Sequence, residues 1–171
     1  MPDRLTSAPV PPIADDDHVR GAGPEAIIYL DLACPHCAVA WGEISQLALR
    51  LCLRHFPVAS RYPRAPVLHQ AAEAAGLQSE DAFHRMWDGI LGDRGHQDDP
   101  HLWERAESFG LEVERFERDR RADSVAARVQ RDFTSGIQAG IGSTPTAFAL
   151  GTKIYGPRLF SRLASLGERP S

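Results

Sequence analysis

The sequence predicts an α/β fold, a small mixed sheet interrupted by a helical insertion. Three observations carry this. An apolar run, Ala26-Ile27-Ile28-Tyr29-Leu30, reads as a buried strand, and downstream of it Ala38 to Ile44 fits a helix. From Pro63 to about Gly140 the apolar spacing is helical. The chain then returns to strand spacing in Thr146-Ala147-Phe148-Ala149-Leu150 and Lys153-Ile154-Tyr155, which flank Gly151-Thr152 as a hairpin.

Taken in order, residues 1–23 read as a flexible, proline-rich leader, with Asp15-Asp16-Asp17 a solvated charge run. The first strand covers about 26–32, and the helix after it runs to about Leu47. Leu49 to Phe56 alternates in the manner of a strand, and Pro57 ends it. Five helices follow. The first spans Ala65 to Ala75 and stops at Gly76. The second, Asp81 to Leu91, places Phe83, Met86, Trp87, Ile90 and Leu91 on one stripe. The third takes Asp99 as N-cap with Pro100 in its first turn, and Gly110 ends it. The fourth is short, Glu112 to Arg118. The fifth starts near Asp123 and carries Val125, Val129, Phe133 and Ile137. Met86, Trp87 and Trp103 read as core rather than as a peptide groove. The mixed charges from Glu112 to Arg131 read as a solvated helix face. Gly136 to Gly142 leads into a strand, which argues against a phosphate cradle. A last helix covers 157–166. The organisation expected is a leader, 1–23, and one domain, 24–171, with the insertion at about 64–122.

A chain of 171 residues with 43% hydrophobic content suits one such domain. The net charge of -4 gives no reason to expect a nucleic-acid surface. No apolar run approaches the ~20 residues of a membrane span. The stretch after Met1 lacks the apolar core of a secretion signal, so a cytoplasmic setting is expected, or a periplasmic one if a leader has been removed. The cysteines number 3, too few for a disulfide scaffold. One closely spaced pair plus the spare Cys52 is the arithmetic of a redox site.

That pair is Cys34-Pro35-His36-Cys37. Two thiols at this spacing close a small disulfide that thiol exchange can reopen. They stand where a strand ends and a helix begins, so unpaired N–H groups and the positive end of the helix dipole favour thiolate. Pro35 suits the first turn because it has no N–H to leave unpaired. His36, between two thiols, is read as tuning their charge. The competing reading is half of a structural zinc site. It lacks a second Cys or His pair at comparable spacing, so no metal and no cofactor beyond the cysteines are expected.

The order of elements and two separated motifs together resemble the DsbA-like branch of the thioredoxin-fold thiol oxidoreductases. Cys34-Pro35-His36-Cys37 is similar to that branch's active-site tetrapeptide. Gly142-Ser143-Thr144-Pro145-Thr146-Ala147-Phe148 resembles its second signature, a Thr-Pro step entering a strand. Arg54-His55-Phe56-Pro57 resembles its second-strand ending. The resemblance covers about residue 18 to the C-terminus. It implies a thioredoxin-like sheet, with Cys34 as exposed nucleophile and Cys37 as buried resolving thiol. It also implies a cis Pro145 against the pair and Thr144 offering its backbone to an extended substrate. Many relatives carry a buried carboxylate six positions before the first cysteine, and here that position is Ile28. Asp31 lies only three before it.

The implied activity is exchange of a Cys34–Cys37 disulfide with thiol or disulfide substrates, protein or small, and with a redox partner. The alternative is a binding or chaperone module that keeps the fold and turns over weakly. Cys52, in a strand, is expected to be a buried and inert thiol.

Overall fold

The structure, a computed structural model, describes residues 7–168. The elements are β1 (His18–Arg20), β2 (Glu25–Leu30), α1 (Pro35–Ile44), β3 (Arg50–His55), α2 (Ala65–Gly76), α3 (Glu80–Gly92), α4 (Asp99–Ser108), α5 (Val113–Asp119), α6 (Asp123–Gln138), β4 (Thr146–Ala149), β5 (Thr152–Tyr155) and, after a 3₁₀ turn, α7 (Leu159–Gly167). The sheet order is β1-β3-β2-β4-β5. β2 and β3 are parallel, with Ile28 opposite Leu53, and α1 is their crossover. The other three pairs are antiparallel. This is the mixed thioredoxin-like sheet that the resemblance implies, with α2 to α5 inserted after β3.

Alternation along the strands sorts two cores. Ala26, Ile28, Leu30, Leu51 and Leu53 point to one face, under α1, α7 and the inserted helices. Ile27, Tyr29 and Cys52 point to the other, where Phe56, Phe133, Val10 and Ile13 close over them. Because both faces of β2 are covered, its sequence is continuously apolar rather than alternating. Met86 and Trp87 lie fully inside the first core, whereas Trp103 is partly exposed and donates its indole N–H to Glu117.

Several expectations need correction. The leader does not run loose to residue 23. His18–Arg20 forms an edge strand on β3, and Val10 and Ile13 pack on the sheet. Residues 1–6 lie outside those described. Asp17 is not solvated with its neighbours. Its side chain is 1% exposed and takes both Arg54 Nη2 (2.8 Å) and Nε (3.3 Å). Arg54 also reaches the Pro11 and Pro12 carbonyls and the Tyr29 hydroxyl, so one buried guanidinium gathers the whole N-terminal segment. The N-cap of α4 is Asp98, whose carboxylate accepts the His101 N–H at 3.1 Å, and Asp99 is the first helical residue. The 112–131 face is not wholly solvated either. Arg120 is buried within it, and just beyond its end Asp132 is buried too and accepts the His55 N–H at 3.1 Å. These charges sit inside because each has a partner there.

β4 and β5 meet at Leu150 and Gly151, both with positive φ. That is the backbone of a two-residue hairpin turn matched to strand twist.

Candidate active site

β2 ends at Leu30, and residues 31–34 turn sharply into α1. Asp31 makes the turn. Its Oδ1 accepts the Ala33 N–H (2.9 Å) and its carbonyl accepts the Cys34 N–H (3.1 Å), the self-capture typical of aspartate in turns. Its Oδ2 accepts the Val58 N–H at 2.9 Å, which ties the turn to the exit from β3. The insertion braces the other side. Gln97 donates to the Leu32 carbonyl and Arg94 to the Ala33 carbonyl, both at 3.3 Å.

Cys34 is the N-cap of α1, with Pro35 in the first turn. Cys37 lies one turn on, fully buried, and receives the Asp31 N–H on its Sγ at 3.4 Å. All three cysteines are free thiols. The thiol of Cys37 hydrogen-bonds to Cys34 and holds it far below its ordinary value, at about 5. Burial opposes this shift. The Cys37 N–H, the Thr144 hydroxyl and the His36 N–H reinforce it. Cys37 moves the opposite way. Burial pushes it up, and the Cys34 sulfur pushes it further. His36 therefore acts on the pair through its backbone N–H, and its own side chain is exposed.

Cys34 is less open than the resemblance implies, retaining only 4% of its surface. Tyr62, in the β3–α2 link, stands against it, and burial and the Cys34 charge push that phenol up. The Thr144 hydroxyl favours the thiolate form at both sulfurs. The Thr144–Pro145 bond is cis. Next to the pair lies a groove of roughly 380 Å³, lined by His36, Val39, Thr144, Pro145, Leu159 and Phe160. Val39 is 73% exposed, so the groove has an apolar rim. A larger hollow, about 770 Å³, lies under the N-terminal segment between Asp15 and Arg50 and shares no lining residue with this groove.

Cys52 is buried in β3, where burial, with Asp17 adding to it, pushes its thiol up to about 12. Ile28 is fully buried in the first core, so no carboxylate comes from that position.

Sequence reading missed Tyr62, Arg94, Gln97 and a buried polar cluster behind the turn. Leu32 donates its N–H to His69 Nε2 (3.0 Å). His69 Nδ1 faces His55 Nδ1 (2.9 Å), and His55 Nε2 faces Glu73 Oε2 (2.9 Å). His18 Nε2 reaches the same Glu73 oxygen, also at 2.9 Å. His18, His55 and Glu73 offer three ligand atoms within 4.8 Å of one another. They come from separate elements spread over 55 positions, so no ligand spacing announces them.

Comparison with known proteins agrees with this geometry. A family model, the DSBA-like thioredoxin domain, matches residues 26–166. Among curated proteins, a Na(+)/H(+) antiporter NhaA of Herminiimonas arsenicoxydans is 33% identical over 156 residues, 85% of this chain and 24% of that protein. A Na(+)/H(+) antiporter NhaA 1 of Salinispora arenicola is 35% identical, over 86% of this chain and 24% of its own length. The chain thus spans about a quarter of these relatives. Among solved structures, the thiol-disulfide exchange protein alpha-DsbA2 from Wolbachia pipientis superposes with a TM-score of 0.78 at 17% identity, covering 89% of this chain and 86% of that one. A thioredoxin-like oxidoreductase from Silicibacter pomeroyi gives 0.76 at 24% identity, covering 91% and 92%. With the tetrapeptide at a helix start, a cis Thr-Pro step and a family match across 26–166, the chain belongs to the DsbA-like thioredoxin domain family.

Proposed function

We propose that this protein exchanges a disulfide between Cys34 and Cys37 with thiol- or disulfide-bearing substrates, Cys34 acting as nucleophile and Cys37 as resolving thiol. The observation that carries the reading is the opposed ionisation of the two sulfurs, Cys34 held down to about 5 and Cys37 pushed up. A thiolate both attacks well and leaves well, while the protonated partner waits until the first is consumed.

In the reducing direction, the Cys34 thiolate attacks a substrate S–S bond, forms a mixed disulfide and expels a substrate thiolate, which takes up a proton. Cys37 then loses its proton and attacks Cys34 Sγ. The second substrate thiolate leaves, and the Cys34–Cys37 disulfide holds the two-electron oxidation. The oxidising direction reverses each step. Thr144 and Pro145 border the groove where an extended substrate segment would lie. The pair itself serves as the redox group.

Turnover of insulin disulfides with a dithiol donor tests this, together with equilibration in glutathione buffers for the potential. Wild-type turnover that disappears in Cys34→Ser and stalls as a mixed disulfide in Cys37→Ser supports the reading. Binding of unfolded clients without any exchange would replace it with the binding-module alternative, which the absence of a buried carboxylate at Ile28 favours.

A further inference from the structure

The cluster behind the redox turn has its protons placed by hydrogen bonding alone. The Leu32 amide can only donate, so His69 Nε2, at 3.0 Å, carries a lone pair. The neutral ring then bears its hydrogen on Nδ1 and donates it to His55 Nδ1 at 2.9 Å. That nitrogen is therefore an acceptor, and His55 holds its own hydrogen on Nε2. This hydrogen goes to Glu73 Oε2, again at 2.9 Å, which accepts it as a carboxylate. Each link fixes the next, from Glu73 on α2 to an amide of the active-site turn.

The surroundings keep this order. His55 and His69 are fully buried and Glu73 is 7% exposed. Trp87 packs edge-on against both rings, with centroids at 5.6 and 5.9 Å. Burial pushes His69 down to about 4, so it is neutral near pH 7. Burial alone would raise Glu73, but its bonds from His18 and His55 outweigh this and hold it well below the usual carboxylate range. Arg128 adds a cation 3.8 Å from Oε1.

The other tautomer of His69 would have a visible consequence. Asp31 Oδ1 lies 3.4 Å from Nε2. With its hydrogen on Nε2, His69 would turn to Asp31 and leave the buried Leu32 N–H without an acceptor. The same turn aims the Asp31 N–H at Cys37 Sγ.

We propose that His69, His55 and Glu73 are positioning residues for the redox pair, a buried chain through which the Glu73 carboxylate selects the His69 tautomer that holds the 31–34 turn and its N–H on Cys37. The proposal rests on the redox reading above. It also decides against a cation in the cluster. In this proton arrangement His55 Nε2 points a hydrogen, not a lone pair, at Glu73.

The test uses the full chain, reduced, with ¹⁵N-labelled histidine. Two-bond ¹H–¹⁵N correlations at pH 7 should show His69 protonated on Nδ1 and His55 on Nε2, opposite tautomers in adjacent rings. Glu73→Gln should scramble the His69 signature. It should also slow release of a small aromatic thiol from its mixed disulfide with Cys34 by about fivefold, the size of one lost hydrogen bond to the forming Cys37 thiolate. Glu80→Gln, at the exposed end beyond His18, should leave both readouts at wild-type values.

His69 protonated on Nε2 in the wild type would overturn the proposal without any variant having to fold. So would a folded Glu73→Gln with unchanged tautomers and unchanged release. Stoichiometric zinc binding that shifts the His18 and His55 signals would replace the chain with a metal site. A wild type that forms the mixed disulfide but never resolves it would sink the redox reading, and the functional half of the proposal with it, whatever the tautomers.

Discussion

The backbone N–H of Asp31 points at Cys37 Sγ across 3.4 Å, while the buried carboxylate of the same residue ties down Ala33 and Val58. One residue thus shapes the turn and offers a donor to the resolving sulfur. It does so from three positions before Cys34, where Ile28, six before, offers only hydrocarbon.

Cys34 should be ionised at neutral pH and Cys37 should not. Alkylation of the reduced protein by iodoacetamide should titrate with a midpoint near 5, against ~8.5 for a free cysteine. Peptide mapping should place the label on Cys34 alone, since Cys37 and Cys52 are fully buried. A midpoint at the free value would remove the basis of the proposed exchange.

Thr144→Val should raise that midpoint. The Thr144 hydroxyl favours the Cys34 thiolate, and a hydrogen bond worth about 1–1.5 kcal/mol corresponds to a shift of roughly one pH unit. The same alkylation titration reads it. No movement would mean that Thr144 supports Cys34 through shape alone.

The stability gap between reduced and oxidised protein should have a peaked pH dependence. The Cys34 pKa is lowered in the folded reduced state, to about 5. Between there and the unfolded value of ~8.5, the unfolded chain binds the extra proton, so the reduced form gains about 1.4 kcal/mol per pH unit. This contribution is fully present above the unfolded value and lost as pH falls through the folded one. Cys37 is shifted upward, so above ~8.5 the folded state holds the extra proton and the gap falls again. Disulfide closure of so short a loop opposes with roughly 2 kcal/mol at every pH. Denaturant melts of both forms from pH 5 to 10 check the shape. A gap that is flat with pH contradicts the thiolate assignment.

Asp17→Asn should destabilise the protein without touching the redox chemistry. It strips the charge partner from Arg54, whose side chain is 4% exposed. An unpaired buried charge costs about 3–5 kcal/mol, less whatever Asn retains by hydrogen bonding. The N-terminal segment should become protease-sensitive, because Arg54 also holds the Pro11 and Pro12 carbonyls. The alkylation midpoint of Cys34 should not move. A melt within 1 kcal/mol of wild type, on the scale of an exposed pair, would show that solvent reaches Arg54.

By itself the sequence determined what rests on local spacing. The apolar run of β2, the five helices of the 65–138 region and the hairpin follow from periodicity and turn chemistry. The tetrapeptide at the start of α1 follows from its placement between strand and helix. Tertiary structure decided what depends on which residues meet. His18–Arg20 is too short to signal a strand and becomes one only because the edge of β3 is free to pair with it. Asp17 looks like its two acidic neighbours and differs only because Arg54 waits beneath it. Burial of Cys34 needs Tyr62 from one link and Thr144 from another. The His69–His55–Glu73 chain joins β3 to α2 through hydrogen bonds between distant residues. Buried polar groups take their meaning from their partners, and partners brought together by folding leave no pattern along the chain.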